Sequence, residues 1–435
     1  VTNLFPTLTL TAALLLTTAG APAASQPVSG TFSVLTYNVA GLPEGLSSGH
    51  PATNTPLISP RLAAYDVINV QEDFNYHAAL YAGDNHPHRT PTSGGAGLGD
   101  GLNTLSDHSF SELDRVKWTR CNGTDCLTAK GFTFARLRLA EGVYADVYNL
   151  HPNAGSTDAD LAARRANITQ LTEHILTHSA GNAVLVMGDT NTRYTRTGDN
   201  IRELTGRAGL TDPWVELIRG GRPPALGSPA LVCDPAAVTN SCEVVDKILY
   251  RGNKFVTITA GSYDNENARF LDSNNQPLSD HYPHTVRFDW SLDDRIRMSD
   301  QFGGPHATPF TDLDSISPTS TVRSVSLRGG DRLDQIAATL SNGTLLRHGG
   351  NGGRESTLTL DATEHLTTIT LTQGKHNGRT RVFSAQLTTD KGRTLTAGKP
   401  TADTVTYSAP PGWHITGFTG RSGDGIDKLG VIYQP

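Results

Sequence analysis

The chain has 435 residues, too many for one ordinary core, and the domain-size prior favours two. Hydrophobic residues make up 37% and charged residues 18%, which excludes a disordered polyelectrolyte and fits strand-rich, loop-rich extracellular domains. A net charge of −6 with no Lys/Arg run gives no global cationic field, so composition argues against nonspecific nucleic-acid binding while leaving a local basic patch open.

In chain order, an apolar run at 8–18 and a small-residue Ala-x-Ala site at 21–23 read as a signal peptide over 1–24. The run is too short to span a bilayer, and no other stretch approaches the ~20 apolar residues of a transmembrane helix. The stretch 25–295 alternates short β-branched runs with Gly/Pro/Asn punctuation, and predicts strands at 32–38, 67–71, 132–139, 145–150, 183–187, 245–249 and 285–288. A helix is predicted over 158–178, where Leu161, Ile168, Leu171 and Ile175 form one apolar stripe. This mixture is α/β. A charged linker at 296–300 precedes a change of character: 301–435 is Thr/Val/Ser/Leu alternation with Gly-rich turns, an all-β domain with strands at 321–327, 337–340, 366–371, 382–387, 414–419 and 429–433.

Four cysteines fall as two close pairs, Cys121 with Cys126 and Cys233 with Cys242. Three connectivities are possible; the short loops favour local disulfides, and the absence of Cys-x₂-Cys knuckles argues against zinc.

In the first domain a polar group repeatedly follows an apolar strand: Asn38, Glu72, His151, Asp189 with Asn191, and Asp246; Asp280 and His281 precede the last strand. Any one of these is an ordinary turn former or cap. Together they are the carboxylates, amides and imidazoles that suit a hard cation such as Mg²⁺ working on phosphate, at strand ends where catalytic groups converge.

The order Thr-Tyr-Asn-Val, Val-Gln-Glu, Asn-Leu-His, Gly-Asp-Thr-Asn, Val-Asp-Lys-Ile and Ser-Asp-His-Tyr-Pro resembles the endonuclease/exonuclease/phosphatase superfamily. The resemblance implies a four-layered α/β sandwich, two packed β-sheets flanked by helices. It further implies Glu72 as main metal ligand, assisted by Asn38 and Asp280. Asp189 and Asn191 would orient the attacking water and hold the phosphate. His281 would be the general base, held by Asp246, and His151 would steady the phosphoryl oxygens or protonate the leaving oxygen. Asn149-Leu-His-Pro-Asn-Ala-Gly, the following helix with Arg164, Arg165 and Gln170, and the Lys130-Gly131 stretch are similar to sphingomyelinases. No adjacent Trp or Phe pair between 251 and 277 matches the aromatic-tipped hairpin of bacterial members.

The C-terminal block opens with Phe302-Gly-Gly-Pro and closes with Gly-Arg-Ser-Gly-Asp-Gly-Ile-Asp-Lys-Leu-Gly-Val-Ile, and it resembles the jacalin-related lectins. That implies a β-prism whose sugar loop, Gly423, Asp424, Gly425 and Asp427, faces a glycine loop at Gly303 and Gly304. Trp413 is a candidate for stacking on a sugar or for the core.

The expected protein is a secreted Mg²⁺-dependent phosphodiesterase acting on phosphosphingolipids at a membrane surface, brought there by glycan binding. The rival expectations are a secreted nuclease with a lectin domain and a glycan-binding adhesin with a silent enzyme fold. The Gly-rich stretch 94–101 fits no nucleotide-binding pattern and reads as a loop beside the site. His174 and His178, one helical turn apart, read as a solvated face.

Overall fold

Strand β1 (Ser29–Asn38) shows how alternation builds the layers. Phe32 and Val34 join the apolar layer between two sheets, whereas Leu35 and Tyr37 share a cluster with helices α1 (Pro51–Leu62) and α2 (His77–Ala82) outside; this is the period-two consequence of the pleat. The computed structural model describes residues 27–94 and 99–435. The expected signal peptide at 1–24 therefore lies outside the described residues, as do 95–98 of the Gly-rich stretch.

The remaining strands of the first domain are β2 (Val67–Gln71), β3 (His88–Arg89), β4 (Asn103–Ser106), β5 (Phe110–Lys117), β6 (Gly131–Ala140), β7 (Val143–Leu150), β8 (Ala183–Asp189), β9 (Asp246–Arg251), β10 (Val256–Asn265) and β11 (His284–Leu292). They form a six-stranded sheet, β10-β11-β1-β2-β4-β3, and a five-stranded sheet, β5-β6-β7-β8-β9. The predicted helix is α3 (Asp158–His178), opened by a Thr157/Asp160 capping box. Its Ile168, Leu171 and Ile175 share the large core cluster with Ile201 and Leu204 of α4 (Ile201–Ala208) and with the strands of the five-stranded sheet. The expected four-layered sandwich is what forms.

Polar side chains pin the two sheets together. Asn69 Nδ2 donates to the carbonyls of Tyr148 and Met187, both at 3.1 Å, and Gln71 Nε2 donates to Asn149 Oδ1 at 2.8 Å. Buried amides with no partner would be costly, so these bonds specify how the sheets stack.

The second domain comprises β12 (Arg297–Met298), β13 (Phe302–Gly303), β14 (Thr308–Thr311), β15 (Val322–Gly329), β16 (Leu333–Leu340), β17 (Leu345–Gly349), β18 (Arg354–Thr359), β19 (Leu366–His376), β20 (Arg379–Thr389), β21 (Thr394–Gly398), β22 (Asp403–Ser408), β23 (His414–Ser422) and β24 (Ile426–Gln434). Three antiparallel sheets result: β12-β24-β23-β14 with β13 also on β24, β17-β16-β15-β18, and β21-β20-β19-β22. This is the expected prism.

The stretch 296–300, read as a linker, is built into the fold instead. Arg297 and Met298 pair with Tyr433 and Ile432, Ile296 is buried, and Asp300 accepts from Arg138, Tyr144 Oη and Gly142 N–H. A second tie between the domains is Glu112 of β5, which accepts from Arg421 at 2.7 Å and Lys428 at 2.6 Å. Both expected disulfides, Cys121–Cys126 and Cys233–Cys242, are present. Among the described residues no helix is long and apolar enough to cross a membrane.

Candidate functional site

Strand register brings the expected residues to one end of the sandwich. Asn38 ends β1 opposite Gln71, so Glu72 lies beside it. Leu150 pairs with Gly188, placing His151 next to Asp189, and Asp189 pairs with Asp246 across β8 and β9. Because β11 runs antiparallel to β1, with His284 opposite Thr36, the loop carrying Asp280 and His281 returns to the same end.

The side chains then meet. Asn38 Nδ2 donates to Glu72 Oε1 at 3.0 Å and to Asp189 Oδ2 at 3.2 Å. Asp189 Oδ1 accepts the Asn191 N–H at 2.8 Å, and Oδ2 accepts from Asn191 Nδ2 at 3.2 Å. His281 Nδ1 lies 3.0 Å from Asp246 Oδ2, while its Nε2 faces Asp189 Oδ2 at 3.7 Å. His151 Nε2 is 3.3 Å from that same oxygen and 3.9 Å from Glu72 Oε1. The strand ends are bent to achieve this: Ala40, Glu72 and Asn191 all have positive φ, at 49°, 57° and 52°. Non-glycine residues pay for that backbone, and the Asn38 Oδ1 bond to Ala40 N–H and the Asp189 bond to Asn191 N–H offset it.

Electrostatics separate the groups. Burial pushes Asp189 up to about 6, with Asp246 adding to the rise while His281 opposes it. For His281, burial works downward, but Asp246 and Asp189 outweigh it and raise the imidazole well above its ordinary value. Burial, then Lys130 and His281, hold His151 well below it. One histidine is thus kept charged and the other neutral.

Asp280 is exposed at the rim, its Oδ2 accepting from Ser48 Oγ at 2.6 Å. Asn38 turns its NH₂ toward the carboxylates and commits Oδ1 to Ala40, so as it stands it orients Glu72 and Asp189. Lys130, absent from the expected site, belongs to it: its Nζ lies 3.0 Å from His151 Nε2 and it is ion-paired with Asp125. The β6–β7 register is the signal that locates it, since Phe132 opposite Leu150 puts 130–131 beside 151. His174 departs from the solvated face expected of it. Its ring stacks on His178 and meets Phe132 and Tyr148 edge-on, and burial pushes it down to about 4.

The donor set suits a hard divalent cation. Glu72, Asp189 and Asp246 put three carboxylates at this end, and Lys130 is already paired with Asp125. Among the described residues, possible ligand atoms of Asp189, Asp246 and His281 all lie within 4.8 Å of one another. Both Asp246 oxygens, however, serve His281 Nδ1, so an ion there would compete with the imidazole. Glu72, with a fifth of its side chain exposed, is the better-placed ligand.

In the second domain the two expected loops also meet. Gly304 N–H donates to the Asp427 carbonyl at 2.7 Å, and a Cβ on Gly303, at φ 131°, would lie 2.2 Å from that oxygen. Gly423 N–H donates to the Gly425 carbonyl, leaving Gly423 and Asp424 exposed at the rim. The Asp427 side chain is fully buried and ion-paired with Arg381, which sequence reading did not foresee. Trp413 is covered by the Arg297 guanidinium, 5.2 Å from its ring, and packs on the core.

Comparison with known proteins bears on both halves. Residues 54–222 match the model of endonuclease/exonuclease/phosphatase family 2, and 299–432 match the jacalin-like lectin domain. Sphingomyelinases of Mycobacterium bovis and Mycobacterium tuberculosis are 42% identical over 278 residues, covering 62% of this chain and 55% of theirs. The chain thus spans about half the length of these curated relatives. Horcolin of Hordeum vulgare is 35% identical over 118 residues, covering 26% of this chain and 81% of its own. Among solved structures, SmcL aligns over 61% of this chain and 99% of its own with 17% identity and a TM-score of 0.43. A Malaysian banana lectin aligns over 32% and 99%, with 23% identity and a TM-score of 0.30.

Proposed function

The chain joins an endonuclease/exonuclease/phosphatase-family domain to a jacalin-like lectin domain, and from that premise we propose that it is a secreted, divalent-cation-dependent phosphodiesterase of sphingomyelinase type, delivered to its substrate by glycan binding. The observation that carries the reading is the meeting of Asn38, Glu72, His151, Asp189, Asn191, Asp246 and His281 in one cluster, from strands far apart in the chain.

Hydrolysis at phosphorus needs an activated water, charge stabilisation and a leaving-group proton. His281, with Nδ1 held by Asp246, takes the water proton at Nε2 once a cation bound beside it offsets the carboxylate field that otherwise keeps the ring charged. Asp189 and the Asn191 amide orient the water and a phosphoryl oxygen. His151, kept neutral, accepts at Nε2 from the Lys130 ammonium 3.0 Å away, so the leaving-group proton comes from Lys130 through His151, or Lys130 stabilises developing charge directly. Glu72 would hold the cation with Asp189 beside it. A divalent cation such as Mg²⁺ held there would supply charge neutralisation for the phosphoryl group and would offset the field of Asp189 on His281. In the lectin half, Asp427 and the 303–304 loop form the sugar site.

Export is supported by two disulfides, which persist in oxidising compartments, and by the signal-peptide-like 1–24. The deciding experiment incubates the purified chain with sphingomyelin and, separately, with plasmid DNA, each with Mg²⁺ and with chelator, and analyses products by mass spectrometry. Metal-dependent headgroup release, absent in His281→Ala, is expected. DNA cleavage without lipid cleavage would transfer the assignment to a nuclease; no turnover of either would leave a glycan-binding protein.

A further inference from the structure

The sugar site of the lectin domain is not open as a site for a neutral sugar should be. Asp427 Oδ1 is taken by the Arg381 guanidinium, and Oδ2 is buried with no hydrogen-bond partner among the described residues. Arg381 keeps 18% of its side chain exposed, and its Nε is likewise without a partner. Each member of this ion pair thus keeps one buried polar atom without a partner.

The surroundings are cationic. Gly304 packs against the Thr380 carbonyl, which brings β20 and its Arg379 and Arg381 directly onto the glycine loop. His306, on that loop, lies within the fields of Arg379, Arg381, Arg421 and Asp427. Arg421 is committed elsewhere, to the carbonyls of His306 and Ala307 and to Glu112, and Lys428 is committed to Glu112 as well. Arg381 and the exposed Arg379 are cations that a ligand meets on the glycine-loop side, with Arg332 against Gly425 on the other side of the sugar loop and facing Asp334 at 3.6 Å.

Building on the glycan-binding reading, we propose that this site selects a sugar bearing an anionic substituent, a carboxylate or a sulfate, with Arg381 as the group that receives the charge. A neutral sugar reaches Asp427 only by displacing the guanidinium, leaving a half-buried cation without a counterion, and its hydroxyls cannot replace a carboxylate there. An anionic sugar gives Arg381 a planar, bidentate partner while a ring hydroxyl donates to the free Asp427 oxygen, so both unused groups are satisfied at once. Arg379 adds attraction at the exposed edge, where salt screens it.

The test is calorimetric titration of the full chain with mannose-, glucuronate-, sialate- and sulfate-terminated oligosaccharides at two salt concentrations. At least one charged series is expected to bind wild type about tenfold or more tightly than the mannose series, weakening as salt rises. Arg381→Gln is expected to abolish that preference and strengthen mannose binding. The exposed Arg379→Gln, which leaves the Asp427 pair intact, should weaken the charged series several-fold, so the proposal remains testable even if Arg381→Gln fails to fold. The carboxylate and sulfate arms identify the source of the charge. Equal or tighter binding of mannose by wild type overturns the proposal, as does an anionic preference that survives in Arg381→Gln. Absence of binding to every arm overturns it together with the lectin reading, whereas sphingomyelin hydrolysis by the same wild-type preparation reports on the phosphodiesterase reading independently.

Discussion

Replacing Glu112 by Gln tests the junction between the two domains. The Glu112 side chain is 1% exposed, at a bulge in β5 where its own φ is 62°, and it receives Arg421 and Lys428 from the lectin half with Arg136 at 3.9 Å. Burial opposes its charge, yet Arg136, Lys428 and Arg421 together hold it down to about 2. Against an ordinary glutamate near 4.3, a drop of roughly 2 units at about 1.4 kcal/mol each corresponds to about 3 kcal/mol of stability. Because the folded pKa is the depressed one, that contribution is complete above about pH 4.3 and is lost as pH falls toward 2. At pH 7, Glu112→Gln strands two buried cations, so a loss of about 3–5 kcal/mol is expected. Urea unfolding of wild type and variant at a series of pH values measures both effects. Their stability gap should be wide at pH 7 and close between pH 4.3 and 2 as wild-type Glu112 itself is neutralised. A gap that stays constant over that range, or is absent at pH 7, refutes the assignment of Glu112 as the charged latch.

His281→Ala should lower metal-dependent hydrolysis by about 10²–10⁴, and Asp246→Asn, which removes the main upward pull on His281, should shift the acid limb of the pH–rate profile to lower pH; steady-state kinetics against pH decides both. Lys130→Met removes a charge that holds His151 down, so the His151 imidazole should titrate at higher pH by NMR and kcat should fall with little change in KM. Converting Cys233 and Cys242 to Ser opens a short loop, and the thermal midpoint should drop in line with a loss of about 2 kcal/mol.

What was legible in the sequence had local causes. The predicted strands 32–38 and 183–187 were found because both faces or alternate positions are buried, so apolar periodicity survives in the text. Glu72, Asp189 and His281 stood out because each adjoins such a run. Edge strands were lost: β18 reads Arg-Glu-Ser-Thr-Leu-Thr and β22 reads Asp-Thr-Val-Thr-Tyr-Ser, both largely exposed, and an edge facing water imposes no apolar pattern. Lys130 was visible only as part of a similar stretch, because its role depends on which strand β6 pairs with. Arg381 and Glu112 had no local signal at all. Their partners lie 46 and more than 300 residues away, and an ion pair between distant positions leaves no spacing to read.

A distant pair also ties the two halves together. A lectin on a flexible tether raises the local concentration of substrate over every orientation the linker permits. Here 296–300 offers no such spacer: β12 is paired, and Asp300 binds back to Arg138, Tyr144 and Gly142 of the catalytic half. Glu112 adds a buried ionic contact beside the Arg421 and Lys428 that flank the sugar loop. On the proposed function, glycan capture in this arrangement would restrict orientation as well as distance, so that a bound surface would meet the Asp189–His281 cluster in a limited set of poses. Glu112→Gln should therefore affect hydrolysis of glycan-bearing vesicles more than hydrolysis of detergent-dispersed lipid, whose approach no lectin contact constrains.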